Sequence, residues 1–316
     1  MAVWPAAKAI SMNILFSSDD NYARHMGVAI YSLLSHNTDV EKIRLFIIDN
    51  HISQLNIDKL ETEINAFKNA EITFIPFETF EKQLNLNLAW PISSSSYARL
   101  FVGEMLPSDV ERVLYLDCDI IVNGSLSELW ETDLKGKCLG AVQDTIPSKT
   151  KAGVGLFPQQ PYFNAGVLLI DLKQWRRKEI GKASLDFIIT HEGRVIHHDQ
   201  GVLNGVLVEQ WERLPLKFNV MTVHYMMSQS KIKKFYKDYA DFYKASEIED
   251  FIKYPIIIHF TPSFTSRPWE TNCKHPLRDY YVRHLKETPW NAYPISRDKS
   301  TWYLRLLNFR YLYLPI

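Results

Sequence analysis

Cysteine is scarce in this sequence. The three present, Cys118, Cys138 and Cys273, are odd in number and have no metal-type spacing, so a disulfide framework is not expected. A reducing cytoplasm is the default compartment. Long apolar runs are missing too: nowhere do eighteen apolar residues follow one another, and no transmembrane helix is expected. Neither sign of charge is in excess, with 36 Lys and Arg against 36 Asp and Glu, so no global field argues for a nucleic-acid partner. The N-terminus reads poorly as a signal peptide. The start, MAVWPAAKAIS, has one lysine and a short apolar stretch broken by Pro5. Residues 1–11 read as a leader or an expression remnant, and Met12 directly precedes the first strand-like run. No internal repeat or low-complexity segment stands out.

What remains is an ordinary globular composition in a chain long enough to bury a large core, as one α/β domain or two small ones. The first two-thirds alternates strand and helix. NILFSS (13–18) reads as a buried strand, and residues 22–36 show helical periodicity through Met26, Ala29, Ile30, Leu33 and Leu34. IRLFIID (43–49) is a second strand, followed by a helix over 53–64 with Ser53 as its N-cap. EITFIPF (71–77) is a third strand, and a helix near 94–105 leads to RVLYLD (112–117). Further strands are CLGAVQD (138–144), AGVLLIDL (165–172) and YPIIIHF (254–260). This alternation implies parallel pairing with helices on both faces of the sheet. Ligands then bind beyond the carboxyl ends of the strands. Those ends carry Ser17–Asp20, Asp49 and Asp117–Asp119.

VLYLDCDIIV (113–122) sets two aspartates into an apolar stretch. Residues two apart in an extended chain point to one side, and two adjacent carboxylates need a positive partner. A hard divalent cation with open positions for phosphate oxygens suits such a pair; two solvated loop aspartates are the plain alternative. SSDDNYA (17–23) offers Asp19 and Asn21 as hydrogen-bonding groups for a base and ribose, and Tyr22 as a stacking surface. SSYARL (95–100) puts Arg99 where a guanidinium can reach a diphosphate or an acid. IIIHF (256–260) ends in His259, a candidate third metal ligand, although a lone strand histidine is more often structural.

Taken together, SSDDNYA, SSYARLFVGEMLP, VLYLDCDIIV, FNAGVLLIDLKQWR and HHDQGVLNG, in that order, resemble glycosyltransferase family 8. That family holds retaining nucleotide-sugar transferases, among them glycogenin and bacterial lipopolysaccharide galactosyl- and glucosyltransferases. The resemblance runs from Asn13 to about Trp269. It implies an α/β nucleotide-diphospho-sugar transferase (GT-A) fold, with a Rossmann-like mixed sheet, helices on both faces and a helical C-terminal extension. The domain plan is then a leader (1–11), a catalytic domain (12–270) and an extension (271–316). It implies Mn2+, with Mg2+ as the alternative, on Asp117, Asp119 and His259, bridging the phosphates of a UDP-sugar. Ser17, Asp19, Asn21 and Tyr22 match the uridine pocket. Arg99, Asn164, Asp199 and Gln200 match positions that hold the donor hexose, and Asp144 falls where donor or acceptor sugar is touched. Gln200 matches the position nearest the anomeric carbon.

The sequence departs from the family in places. The usual His-x-x-Gly-x-x-Lys-Pro-Trp loop is here HFTPSFTSRPW (259–269), longer, without the glycine and with Arg267 where lysine is expected. Arginine binds phosphate bidentately, so Arg267 is expected to hold the diphosphate. Gly201 stands where some relatives have a second acid, and the neighbourhood of Pro91 lacks an acceptor-binding histidine of one relative. The expected reaction is retaining transfer of galactose or glucose from a UDP-sugar to a saccharide, glycolipid or glycoprotein acceptor of a bacterial surface. A nucleotidyl- or phosphoryl-transfer enzyme and a non-catalytic glycan-binding protein are the competing classes. The tail KSTWYLRLLNFRYLYLPI (299–316) combines basic and aromatic residues with no acid after Asp298. It reads either as a packed aromatic helix or as an interfacial segment touching the inner face of the cell membrane.

Overall fold

The structure, a computed structural model, describes residues 10–78, 94–236, 243–262 and 264–296. Its frame is a seven-stranded sheet in the order β3-β2-β1-β4-β7-β6-β8. The strands are β1 (Ser11–Asp19), β2 (Lys42–Asn50), β3 (Ala70–Pro76), β4 (Arg112–Leu116), β6 (Leu139–Gln143), β7 (Phe163–Asp171) and β8 (Trp211–Arg213). A second sheet, β5-β10-β9, is built from β5 (Ile120–Val122), β9 (Val220–Met221) and β10 (Ile257–His259). The main helices are α1 (Asp20–Ser35), α2 (Gln54–Ile64), α3 (Ile180–Thr190), α4 (His198–Val206), α5 (Gln229–Tyr236), α6 (Ala245–Lys253) and α7 (Arg278–Lys286).

Continuous apolar runs, rather than alternating ones, mark strands buried on both faces, and the two faces feed two separate cores. Met12, Ile14 and Phe16 of β1, with Leu114 and Leu116 of β4, join one cluster that α1 and α2 cover with Met26, Ile30, Leu33, Leu60 and Ile64. Leu15, Val113 and Tyr115 point the other way, into a cluster closed by Tyr97, Phe101, Trp175, Ile188 and Leu203. A strand polar on either face could not occupy this position.

Within the seven-stranded sheet, strand polarity departs from the all-parallel expectation at one strand. β1 runs parallel to β2 and β4, and β2 to β3, but β7 is antiparallel to both β4 and β6. The mixed sheet implied by the resemblance holds. The reversal has a consequence for the site: the start of β7, Phe163 to Gly166, lies beside the end of β4, where the Asp117 N–H donates to the Gly166 carbonyl at 2.8 Å.

Other expectations shift by small amounts. β1 begins at Ser11, paired with Lys42, so the strand reaches into the segment set aside as a leader. Ser53 is the N-cap of α2 but makes no side-chain cap bond. The single helix expected near 94–105 is instead three short pieces, Ser94–Tyr97, a 3-10 turn Ala98–Phe101, and Val102–Met105. Residues 271–296 stay on the domain. Tyr281, Leu285 and Trp290 belong to the α1-side core, and the Trp290 indole N–H donates to Asn56 at 3.0 Å. The 299–316 tail, residues 1–9 and the neighbourhood of Pro91 lie outside the described residues.

Candidate active site

β4 ends at Leu116, and the next three residues turn into β5. Within that turn Cys118 points inward, its Sγ 3.4 Å from the Ser17 carbonyl, which leaves Asp117 and Asp119 on the other side together. Antiparallel pairing of β10 with β5 sets His259 opposite Ile120, and the Phe260 N–H donates to the Asp119 carbonyl at 2.9 Å. The imidazole Nε2 consequently lies 3.2 Å from Asp119 and 3.7 Å from Asp117. Their ligand atoms lie within 4.8 Å of one another, the single such acid–histidine group among the described residues. Two carboxylates and an imidazole on one centre are a donor set for Mn2+ or Mg2+. Gly166 confirms that space is reserved here, since a Cβ on it would sit 2.2 Å from the His259 ring and 2.8 Å from the Asp117 carboxylate.

Two arginines flank the pair. Arg99, from the 3-10 turn, donates to Asp117 at 2.8 Å and reaches Asp199 at 3.0 Å, with the Tyr115 ring 4.3 Å beneath its guanidinium. Tyr115 also donates to Asp117 at 2.9 Å. Arg267 pairs with Asp119 and donates to the Phe260 carbonyl, and its guanidinium lies over Trp269. Burial opposes ionisation of Asp119, yet His259 and Arg267 hold its carboxyl well below the usual range. Burial drives the His259 imidazole down, but Asp119 outweighs it and leaves the ring more basic than usual. Burial raises Asp199, partly offset by Arg99.

Behind Arg99 lies a polar network. Asp144, at the end of β6, accepts from Asn164 and from Gln200, each at 3.1 Å, through the same carboxylate oxygen. Gln200 accepts the Ala165 N–H at 3.0 Å, so both ends of its amide are fixed. Asp199 and Gln200 stand in the first turn of α4, after two successive left-handed residues, His197 (φ 59°) and His198 (φ 53°). Such backbone is strained for residues with a Cβ and concentrates at functional sites. Gly201 follows because a Cβ there would meet the Ile196 carbonyl at 1.9 Å.

These groups line one cleft with two halves. A cavity of about 500 Å³ holds Asp144, Asn164, Asp199 and Gln200, and a second of about 300 Å³ holds Ser17, Asp19, Tyr22, Asp119 and Arg267. Ser96, Arg99 and Asp117 line both. Asp19 is the N-cap of α1, accepting the Tyr22 N–H at 3.1 Å. Tyr22 is 39% exposed, makes edge contacts with Trp269 and His25, and lines the smaller cavity. Asn21 is exposed and does not line the cavity. Asp20 and Asp49, the other acids at these strand ends, cap loops: Asp20 accepts from Ser53 and Asn56, and Asp49 from Ile52.

Known proteins resemble this chain in sequence and fold. Residues 13–273 match glycosyl transferase family 8. The chain belongs to that family. It is 30% identical over 288 residues to general stress protein A of Bacillus subtilis, covering 89% of this chain and 95% of that protein. It is 27% identical to a lipopolysaccharide 1,2-glucosyltransferase of Escherichia coli K12, covering 88% and 79% of the two chains. The galactosyltransferase LgtC, crystallised with donor and acceptor sugar analogs, shares the fold with a TM-score of 0.70 at 29% identity, over 88% of this chain and 96% of that one. The fold is therefore GT-A, and the protein is a glycosyltransferase whose family uses a nucleotide-sugar donor, a saccharide acceptor and a divalent metal.

Several residues of this site were not among those singled out from the sequence. Tyr115 is hidden in an apolar strand, and only its partners show its role. Gly166 was visible as a glycine opening an aliphatic run, a pattern that marks close backbone approach. Asn219 is brought to His259 by the pairing of β9 with β10 and is 40 residues away in sequence. In the loop 259–269 the left-handed residue is Phe264 (φ 66°), where no glycine is available.

Proposed function

We propose that this family 8 enzyme transfers galactose or glucose from a UDP-sugar, with retention of anomeric configuration, to a saccharide acceptor of a bacterial cell-surface glycan or glycoprotein. The observation that carries the reading is the continuity of the cleft: the Asp117–Asp119–His259 group lies between a half suited to a nucleotide and a half suited to a sugar. Mn2+, or Mg2+, held by those three residues would supply a Lewis acid that neutralises the donor's diphosphate.

The remaining chemistry belongs to the chain. Ser17, Asp19 and Tyr22 receive the uridine. Cleavage between anomeric carbon and phosphate adds negative charge to the leaving group, and Arg267 is placed to stabilise it. Arg99, Asn164, Asp199 and Asp144 hold the hexose. Gln200 lies nearest the reacting carbon, but an amide is a weak nucleophile, and its two ends are engaged by Asp144 and Ala165. Same-face attack by the acceptor follows, its proton passing to the leaving phosphate. The far wall of the larger cavity, with Ile146, Pro147, Val223, Tyr236 and Pro262, offers an aromatic and apolar surface to the acceptor ring.

The test is incubation with radiolabelled UDP-galactose and UDP-glucose, with and without Mn2+, followed by product anomer analysis. UDP release that chelator abolishes supports the reading. Release of a sugar phosphate, or inversion at the anomeric carbon, overturns it. We place the enzyme in the cytoplasm, with the 299–316 tail as an interfacial segment at the membrane's inner face. Truncation after Asp298 should lower co-sedimentation with anionic vesicles, and equal sedimentation of both forms would remove the membrane role.

A further inference from the structure

Asn219 is fully buried, directly after the 3-10 turn Leu216–Phe218 and one residue before β9. Its amide joins the two halves of the site: Oδ1 lies 2.8 Å from His259 Nδ1, and Nδ2 donates to Asn164 Oδ1 at 2.9 Å. The two ends of a buried amide are told apart by their partners. Here a backbone group decides. The Gly166 N–H donates to Asn164 Oδ1 at 3.0 Å, and the other end of Asn164 donates to the Asp144 carboxylate at 3.1 Å. The group of Asn219 facing Asn164 Oδ1 must therefore be its NH2. Its oxygen is left facing His259, whose Nδ1 must carry the proton. Nε2, 3.2 Å from Asp119, is the nitrogen turned toward the carboxylates.

We propose that Asn219 is a positioning residue that fixes the ring orientation and Nδ1–H form of His259 and ties it, through Asn164 and Asp144, to Gln200. The cation part rests on the metal reading given above. A partner on the outer nitrogen of a ligating histidine sets its tautomer and raises its basicity, and loss of that partner lowers metal affinity about 10–100-fold. The same amide continues into the sugar half, so one side chain aligns a metal ligand with the groups around the anomeric carbon.

Titration calorimetry of Mn2+ into the metal-free full chain tests the first part. Asn219→Ala should weaken binding about 10–100-fold, with circular dichroism checking the fold. Asn219→Asp still accepts from Nδ1 but cannot donate to Asn164. It should bind Mn2+ no more weakly than wild type, while a larger share of donor is hydrolysed rather than transferred. Wild-type Mn2+ affinity in folded Asn219→Ala, or Asn219→Asp as weak as the alanine variant, would overturn the proposal. A second readout needs neither cation nor variant: isotope-edited NMR of metal-free wild type should show a slowly exchanging proton on His259 Nδ1. A bare Nδ1 overturns the assignment. Should wild type bind no Mn2+ at all, the metal reading falls, whereas the Nδ1 proton still decides what Asn219 does.

Discussion

Asp119 meets three demands at one position. It accepts from Arg267, faces His259, and sits in a turn tight enough to leave Cys118 in the core. Asp119→Asn keeps the shape and removes the charge. Mn2+ affinity should fall at least tenfold, about 1.4 kcal/mol, with turnover nearly lost and the fold kept at a lower melting temperature, because Arg267 loses its carboxylate partner. Wild-type rates at limiting Mn2+ would remove the residue from the metal set. Gly166→Ala tests the same centre from the backbone side. Its methyl would be 2.2 Å from the His259 ring, so His259 and Asp117 must move apart. Calorimetry should then show weakened Mn2+ binding in a protein with unchanged far-ultraviolet dichroism, and unaltered binding would mean that the ring yields without consequence. At Tyr22, stacking on a base contributes about 1–3 kcal/mol. Tyr22→Ala should raise donor KM roughly tenfold more than it lowers kcat, because stacking is present in ground and transition states alike.

Among the elements, α7 and the turn after it pack into the α1-side hydrophobic core. Tyr281 bonds to His25 at 2.6 Å, and His25 stacks on Trp269 at 3.7 Å, so the helix braces the end of the loop that carries Arg267. Trp290 is 1% exposed and bonds to Asn56, which in turn donates to Asp20 at the start of α1. Trp290→Ala removes a large buried side chain and should destabilise the fold by about 3–5 kcal/mol. The expected pattern is a lower melting temperature together with a raised donor KM, since α1 begins at the nucleotide half. A loss of stability with unchanged KM would show that the segment supports the fold alone.

For the whole molecule, buried histidines set the response to acid. Burial pushes His224 and His275 down to about 4, and His25 well below its usual value. Both nitrogens of His224 lack a partner. These rings are neutral when folded, whereas the unfolded chain takes up protons near pH 6.5. The folded state thus binds fewer protons below that pH, and stability falls as pH drops from about 6.5 to about 4. His224 and His275 each contribute on the order of 3 kcal/mol to the full loss. Glu63, raised well above its usual value by burial, acts in the opposite sense: it stabilises below its unfolded pKa and loses that contribution as pH rises through its folded one. His259, Asp199 and Glu104 are raised too and act with Glu63, whereas His197 and His284 join the lowered rings. The contribution of His224 and His275 is a melting temperature that declines between about pH 6.5 and about 4. His224→Leu should make that decline shallower, and an unchanged slope would exclude His224 from it.

By itself the sequence determined the layers and most of the site's composition. Doubly apolar strands such as NILFSS must be buried on both faces, and Asp-x-Asp at a strand end must face one way, because local geometry fixes both. The motif order marked the family before any coordinates. Tertiary structure decided what depends on pairing. The antiparallel entry of β7 put Asn164 and Gly166 beside Asp117. The β5–β10 register turned a lone strand histidine toward two aspartates. Asn219 has no local pattern to announce it, since its partners lie 40 and 55 residues away and only the closed sheet brings them within a hydrogen bond. Short-range sterics are written residue by residue, whereas a long-range contact exists only once the chain between its ends has folded.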